Sequence, residues 1–319
     1  MKKVINRATI IGRVYDHKLA LKTVQKQGDN FGKPFVSGSI DVVTDDEGLN
    51  VVTVYYRYVT EYFSSGKKNN TFDVLKNIAE GNVKTVVADG IKDATIVKCD
   101  TGIAINDFYV TEGTEERLVS AKRLEGGFVS VISKDKVPEE AKRNKFECDM
   151  LILNATLVEA DEEKGIAEDF LRISGATFAF NNAMIPVDFI VKDKNGIKYF
   201  ESLDASNSNP VFTKVWGFLK SQTIVDVREE ETAFGEPSVK EFTKTTKEWT
   251  IVGASPNNYT IDDSEDADIT PDEWKKIKAD REVHLAEVKK NQEEYAASKK
   301  ASDAGSFGSA PAAAGGFNF

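Results

Sequence analysis

Asn50-Val51-Val52-Thr53-Val54-Tyr55-Tyr56-Arg57-Tyr58-Val59, followed after a polar loop by Thr71-Phe72-Asp73-Val74-Leu75-Lys76-Asn77-Ile78-Ala79-Glu80-Gly81, decides how the first third of the chain is read. The first run is dense in β-branched and aromatic residues and reads as a strand. Side chains alternate along a strand, so Val52, Val54, Tyr56 and Tyr58 share one face and Val51, Thr53, Tyr55 and Arg57 the other. In the second run the period changes. Phe72, Leu75, Ile78 and Ala79 fall on one helical face, and Gly81 ends the helix.

Working outward, Ala8–Val14 and Phe35–Thr44 read as two earlier strands. Lys84–Ala88, Ala94–Lys98 and Ile103–Val110 read as later ones, the last entered through the turn Asp100-Thr101-Gly102. Three strands, a helix and a hairpin is the order of an OB barrel, whose helix plugs one end of a closed sheet. The middle of the chain repeats the order. Lys145–Glu159, Asp169–Phe180 and Met184–Lys192 read as strands, with Tyr199-Phe200 in a further one after the turn Asn195-Gly196. Asn209–Lys220 reads as the helix, with Phe212, Val215, Trp216 and Leu219 on one face. Ile224–Arg228 and Lys247–Val252 follow as strands. Trp216 and Trp249 read as core. Val110–Asn144 joins the modules, and its Gly126–Ile132 is assigned to the second.

The expected architecture is mostly β: two tandem OB-like β-barrels, each with one capping helix, followed by a C-terminal helix and a disordered tail. The expected boundaries are 1–112, 113–258, an acidic linker at 259–270, a charged helix at 271–299 and a Gly/Ala/Ser tail at 300–319. Thr270-Pro271-Asp272-Glu273 is a strong helix start.

The charge is uneven. The 319 residues carry a net charge of −10, but residues 1–68 hold 11 Lys+Arg against 7 Asp+Glu and residues 261–319 hold 8 against 13. A basic front with an acidic back permits nucleic-acid binding. The two cysteines and two histidines lack metal-ligand spacing, so no metal or cofactor is expected. No phosphate loop, nucleophile elbow or other catalytic motif is present, so no enzyme is expected. No signal peptide and no apolar run of about 18 residues appear, which points to a cytoplasmic protein without a membrane partner.

Several residues suit single-stranded nucleic acid. On the third strand, Thr53, Tyr55 and Arg57 offer a hydroxyl, a stacking ring and a guanidinium. The loop Tyr62-Phe63-Ser64-Ser65-Gly66-Lys67-Lys68 interleaves aromatics with lysines. In the second module Phe178 and Phe180, two apart on one strand face, and Arg172 form a weaker candidate. Bases stack on aromatic rings irrespective of sequence.

The run Ile5-Asn6-Arg7-Ala8-Thr9-Ile10-Ile11-Gly12-Arg13-Val14 resembles the opening strand of bacterial and phage single-stranded-DNA-binding proteins. The resemblance covers about residues 4–110. It implies that Arg7, Arg13, Tyr55 and Arg57 lie on or beside a DNA-binding sheet, and that the chain serves replication, recombination and repair. It also implies that a terminal aromatic tip, here Phe317 and Phe319, recruits replication or repair proteins. Unlike the family, this chain carries its acids at 262–268 rather than beside the tip. The alternatives are single-stranded RNA binding, or a protein-interaction scaffold that forms a homo-oligomer through the helix at 271–299.

Overall fold

The structure, a computed structural model, describes residues 4–112, 115–161, 166–230 and 238–305. Its first module contains β1 (Asn6–His17), β2 (Ala20–Thr23), β3 (Pro34–Val43), β4 (Val51–Thr60), α1 (Asn70–Ala79), α2 (Val86–Asp89), β5 (Ile96–Glu112) and β6 (Glu115–Val131). Strands β1, β3, β4, β6 and β5 close into a ring, with β4 and β6 parallel and the other pairs antiparallel. Asn69 caps α1 by accepting from the Thr71 amide, and Phe72, Leu75 and Ile78 are buried against the barrel core. Burial of each such side chain contributes roughly 1.5–3 kcal/mol.

The second module repeats the ring with β7 (Asn144–Val158), β8 (Phe170–Phe178), β9 (Met184–Val191), α3 (Lys194–Ser202), β10 (Val211–Glu230) and β11 (Ser238–Ala254). Here β9 and β11 are the parallel pair, and β10 returns to β7. The chain therefore folds as the expected mostly-β pair of barrels, each with a helix between its third and fourth barrel strands.

The modules match in register as well as in order. Strands β1 and β7 pair antiparallel, with Asn6 opposite Cys148, Ala8 opposite Phe146 and Ile10 opposite Asn144. A pseudo-dyad therefore passes through Ala8 and Phe146, and Asn6 and Asn144 occupy equivalent places. Each does the same work. The Asn6 amide donates to the Ile103 carbonyl and the Asn144 amide to the Leu219 carbonyl, covering the flank of β5 or β10 beyond its last pairing. The β1–β3 ladder shifts register between Val14 and Asp16, and the β7–β8 ladder shifts at the matching place between Ile152 and Asn154.

Several expectations change. The expected helix at Asn209–Lys220 is strand from Val211 onward: Thr213, Val215, Gly217 and Leu219 alternate inward. Phe212 lies on the opposite face, in a second cluster with Phe178 and Trp274, and apolar residues on both faces imitate a helical stripe. The helix is α3 instead, where Asp193 accepts from the Asn195 and Gly196 amides, so the apparent Asn-Gly turn is a helix start and Tyr199-Phe200 is helical. Trp216 is exposed rather than core. Lys84–Ala88 contains the short α2, not a strand. Asp100–Gly102 is a register shift inside one long strand, β5. Gly126–Ile132 belongs to the first module, because β6 pairs with β5 and β4, so the expected division at 112/113 falls inside the β5–β6 hairpin. The segment 259–270 is folded onto the second barrel: Tyr259 bridges Phe212, its hydroxyl donates to buried Asp149 at 2.9 Å, and Ile269 is buried. Burial, then the Asp149 carboxylate, pushes the Tyr259 hydroxyl up to about 12.

The last helix, α4 (Pro271–Gly305), begins as expected with a Thr270–Glu273 capping box. It is anchored by Trp274 and Ile277 to the second barrel and then crosses the β5–β6 hairpin of the first. That crossing is polar. Arg281 makes two bonds of 2.6 Å to Asp107, whose side chain is 1% exposed. The Gln292 side chain accepts from the Tyr109 amide and donates to its carbonyl, and Lys289 pairs with Glu116. Burial pushes the Asp107 carboxyl upward, but bonds from Arg281 and Ser120 more than reverse it and hold it below the usual carboxylate range. Its folded-state value being depressed, the contribution is present at neutral pH and is lost as pH falls through that value. Asp107→Ala is expected to lower the amide-exchange protection of 281–292 at neutral pH towards the protection, relative to the intrinsic rate, that wild type keeps in acid. Unchanged exchange would show that the helix is held elsewhere.

Candidate nucleic-acid interface

The alternation of β4 places Val52, Val54 and Tyr56 in the core and turns Thr53, Tyr55 and Arg57 outward, as expected. The Thr53 hydroxyl donates to Asp41 at 2.6 Å. Tyr55 is 36% exposed, and the Arg123 guanidinium lies 5.1 Å from its ring centre. Arg57 pairs with Glu125, which Arg123 also reaches at 2.5 Å. The parallel β4–β6 pairing makes this cluster by setting Tyr55 beside Glu125.

Thr53 and Tyr55 open onto a cleft of about 170 Å³ between the modules, lined also by Lys122, Arg123, Lys220 and Trp249. No carboxylate is among its described lining residues. Lys122 crosses from β6 to the second barrel, where it donates to the Asp188 carbonyl and sits 5.5 Å from the Trp249 ring centre. Burial holds the Lys122 ammonium below the ordinary lysine value, with Asp188 opposing that shift and Arg172 adding to it. Arg172, exposed on β8, thus lies near the same seam.

Arg57 opens onto a second, shallower groove, shared with Tyr58, Phe63 and Phe128. The loop at 62–68 is closed on itself: Tyr62 bridges Lys68, the Phe63 amide donates to the Lys67 carbonyl, and Lys68 pairs with Asp73 at 2.9 Å. Tyr62, Phe63 and Lys67 are exposed.

The remaining expected residues lie apart. Arg7 is on the outer face of β1, bonded to Glu147. Arg13 is mostly buried, 3.7 Å from Asp46, which also pairs with Arg143 at 2.7 Å. Arg13 is therefore a structural cation rather than an open contact. The shared face expected for Phe178 and Phe180 does not exist: β8 ends at Phe178, which is 0% exposed, while Phe180 lies in the following turn and is 98% exposed. Phe178 fills the core between β8 and α4, so it is unavailable for stacking. Phe317 and Phe319 lie outside the described residues.

Lys122, Arg123, Lys220 and Trp249 were not anticipated. Their signal is long-range, because a parallel strand pair and an inter-module seam leave no local pattern. The adjacent cations Lys122-Arg123 within an alternating run were the available hint.

A family model described as YorF matches residues 4–291. The chain belongs to the YorF family. The YorF-family chain is also similar to two solved structures, a deletion variant and the wild type of the single-stranded DNA binding protein from Thermus aquaticus. The variant is 9% identical with a TM-score of 0.43, over 80% of this chain and 95% of that one. The wild type is 6% identical with a TM-score of 0.43, over 79% of this chain and 93% of that one. No curated protein matches the YorF-family chain in sequence.

The register of the two barrels shows which half of this YorF-family chain carries the aromatic-basic face. Ser39 lies opposite Tyr55 in the first module, and the matching pair in the second is Arg172 opposite Ile190. An isoleucine stands where the first module has its tyrosine, so β9 offers no counterpart to the Tyr55 ring.

Among the described residues, no group of three or more metal-ligating side chains occurs, and no helix is long and apolar enough to cross a membrane.

Proposed function

We propose that the protein binds single-stranded DNA without sequence preference, using the outer face of β4 and the cleft between its barrels. The observation that carries this reading is the cleft itself. It sets Tyr55 and Trp249 among Lys122, Arg123 and Lys220 with no carboxylate in its described lining. The exposed Tyr55 ring supplies stacking that tolerates any base, and the exposed Lys220 supplies a phosphate contact. The Asn6–Val14 run, which resembles the opening strand of single-stranded-DNA-binding proteins, supports the same reading. At the level of the cell, the protein coats exposed strands during replication, recombination or repair in the cytoplasm, without catalysis. The aromatic tip at Phe317 and Phe319 would recruit partner proteins.

Titration with poly(dT) is expected to quench the protein's aromatic fluorescence at low salt and to weaken as salt rises. Each phosphate neutralised contributes about −0.7 to the log–log salt slope of a single strand. Lys220→Ala, at an exposed position, is expected to flatten that slope by about 0.7. Failure of the folded protein to bind oligonucleotides at low salt would leave the barrels as an interaction scaffold. Matched DNA and RNA oligomers in competition separate the two nucleic acids.

A further inference from the structure

The outer face of the β1–β7 sheet, at the pseudo-dyad, carries a second set of rings and cations outside the cleft just described. Trp216 is 40% exposed on β10. Its cross-strand partner is Gly253, and a Cβ built there would lie 2.5 Å from three atoms of the indole. The glycine thus lets the ring lie flat on the backbone of β11, leaving the other ring face to solvent. Phe218 and the exposed Val252 lie beside it, and together with Arg7, Lys142 and Lys145 they line a cleft of about 530 Å³.

The charge around this ring is positive and partly uncommitted. Glu147, opposite Trp216, is the acid of the cleft, and it is engaged by Arg7 and by Lys214 at 3.4 Å. Burial pushes the Glu147 carboxyl upward, and those two cations more than reverse it. Lys142 pairs with Glu139 at 3.1 Å, and Asp100 at the far edge pairs with Lys98 at 2.8 Å. Lys145 is exposed and meets no carboxylate among the described residues.

Resting on the single-strand reading above, we propose that Trp216 and Lys145 form a second contact for the same ligand: a base stacks on the open indole face and a phosphate meets Lys145. Strands β1, β7 and β10 carry this contact, and β10 also brings Lys220 to the Tyr55 cleft, so a single strand can run along β10 from one site to the other. Charge favours this occupant over a second copy of the chain. A two-fold interface sets one patch against itself, which would bring Arg7 and Lys145 against their own copies.

One OB module covers roughly 4–16 nucleotides, so a (dT) oligomer of about 4 tests one contact and one of about 40 tests both. Trp216→Ala and Lys145→Glu are each expected to weaken the long oligomer about tenfold, with little change for the short one. Lys145 is exposed, so its variant stays informative if Trp216→Ala misfolds. Equal long-oligomer affinity for wild type and both variants overturns the proposal while leaving the single-strand reading intact. Wild type that binds neither oligomer at low salt overturns that reading first. A dimer in sedimentation that either variant abolishes, with DNA affinity unchanged, assigns the patch to self-association and overturns the proposal.

Discussion

Tyr55→Ala is expected to weaken poly(dT) binding by roughly 5- to 150-fold, the equivalent of about 1–3 kcal/mol for one lost base stack. Tyr55 stands on the outer face of β4, so the fold does not depend on it. Replacement of a partly exposed side chain away from the core alters stability by about 0.5 kcal/mol or less. The binding loss and an unchanged thermal midpoint should therefore appear together. Tyr55→Phe keeps the ring and its contact with the Arg123 guanidinium, and should bind like wild type. If Tyr55→Phe loses as much affinity as Tyr55→Ala, the hydroxyl rather than the ring makes the contact and the stacking account fails. The matching substitution in the second module, Ile190→Ala, should leave binding unchanged.

The largest expected effect on stability comes from Gly12→Ala. Strand β1 pairs with β5 through Arg13 and with β3 from Arg13 onward, so the ring closes at that point. A Cβ on Gly12 would lie 1.8 Å from the Val43 carbonyl oxygen. The obstacle is backbone, which cannot rotate away as a flexible side chain can, so the β1–β3 crossing must open. Overpacking of this kind costs about 3 kcal/mol. It should appear as a lower urea midpoint at constant slope. The second barrel meets the same crowding from the other strand, where a Cβ on Gly175 would lie 2.1 Å from the Leu151 carbonyl oxygen. A loss for Gly12→Ala below about 1 kcal/mol would show that this crossing yields easily.

The sequence made the first barrel legible because its elements are locally unambiguous. Strand β4 alternates cleanly, α1 shows a 3.6-residue period, and both lie where a closed five-stranded ring needs them. The second barrel was legible in order but not in detail. Strand β10 carries apolar residues on both faces, because one side meets the barrel and the other carries Phe212 under the anchor of α4 and Trp216 beside an open cleft. That third layer is invisible to a window of a dozen residues. Helix α3 was hidden by Asn195-Gly196, which reads as a turn until Asp193 is seen capping a helix. At the candidate interface, Tyr55 and Arg57 could be read from alternation alone. Arg123 and Lys220 could not, since the parallel β4–β6 pair and the inter-barrel seam bring them to Tyr55 from far along the chain. Arg13 failed as an open contact for a related reason: Asp46 and Arg143, on separate loops, enclose it.

The β1–β7 pairing has a consequence for how the protein is made. A ribosome releases the first barrel once Val131 has emerged, yet the flank of β1 from Asn6 to Ile10 finds its partner only when Asn144–Cys148 follows. At about 5–20 residues per second, that interval is on the order of a second. During it, neighbouring nascent chains on one message present identical bare flanks to each other. The connection from β6 to β7, residues 132–143, sets how long that flank waits for its partner from the same polypeptide. Lengthening it by insertion should raise the share of product recovered as interlinked oligomers, with each barrel intact.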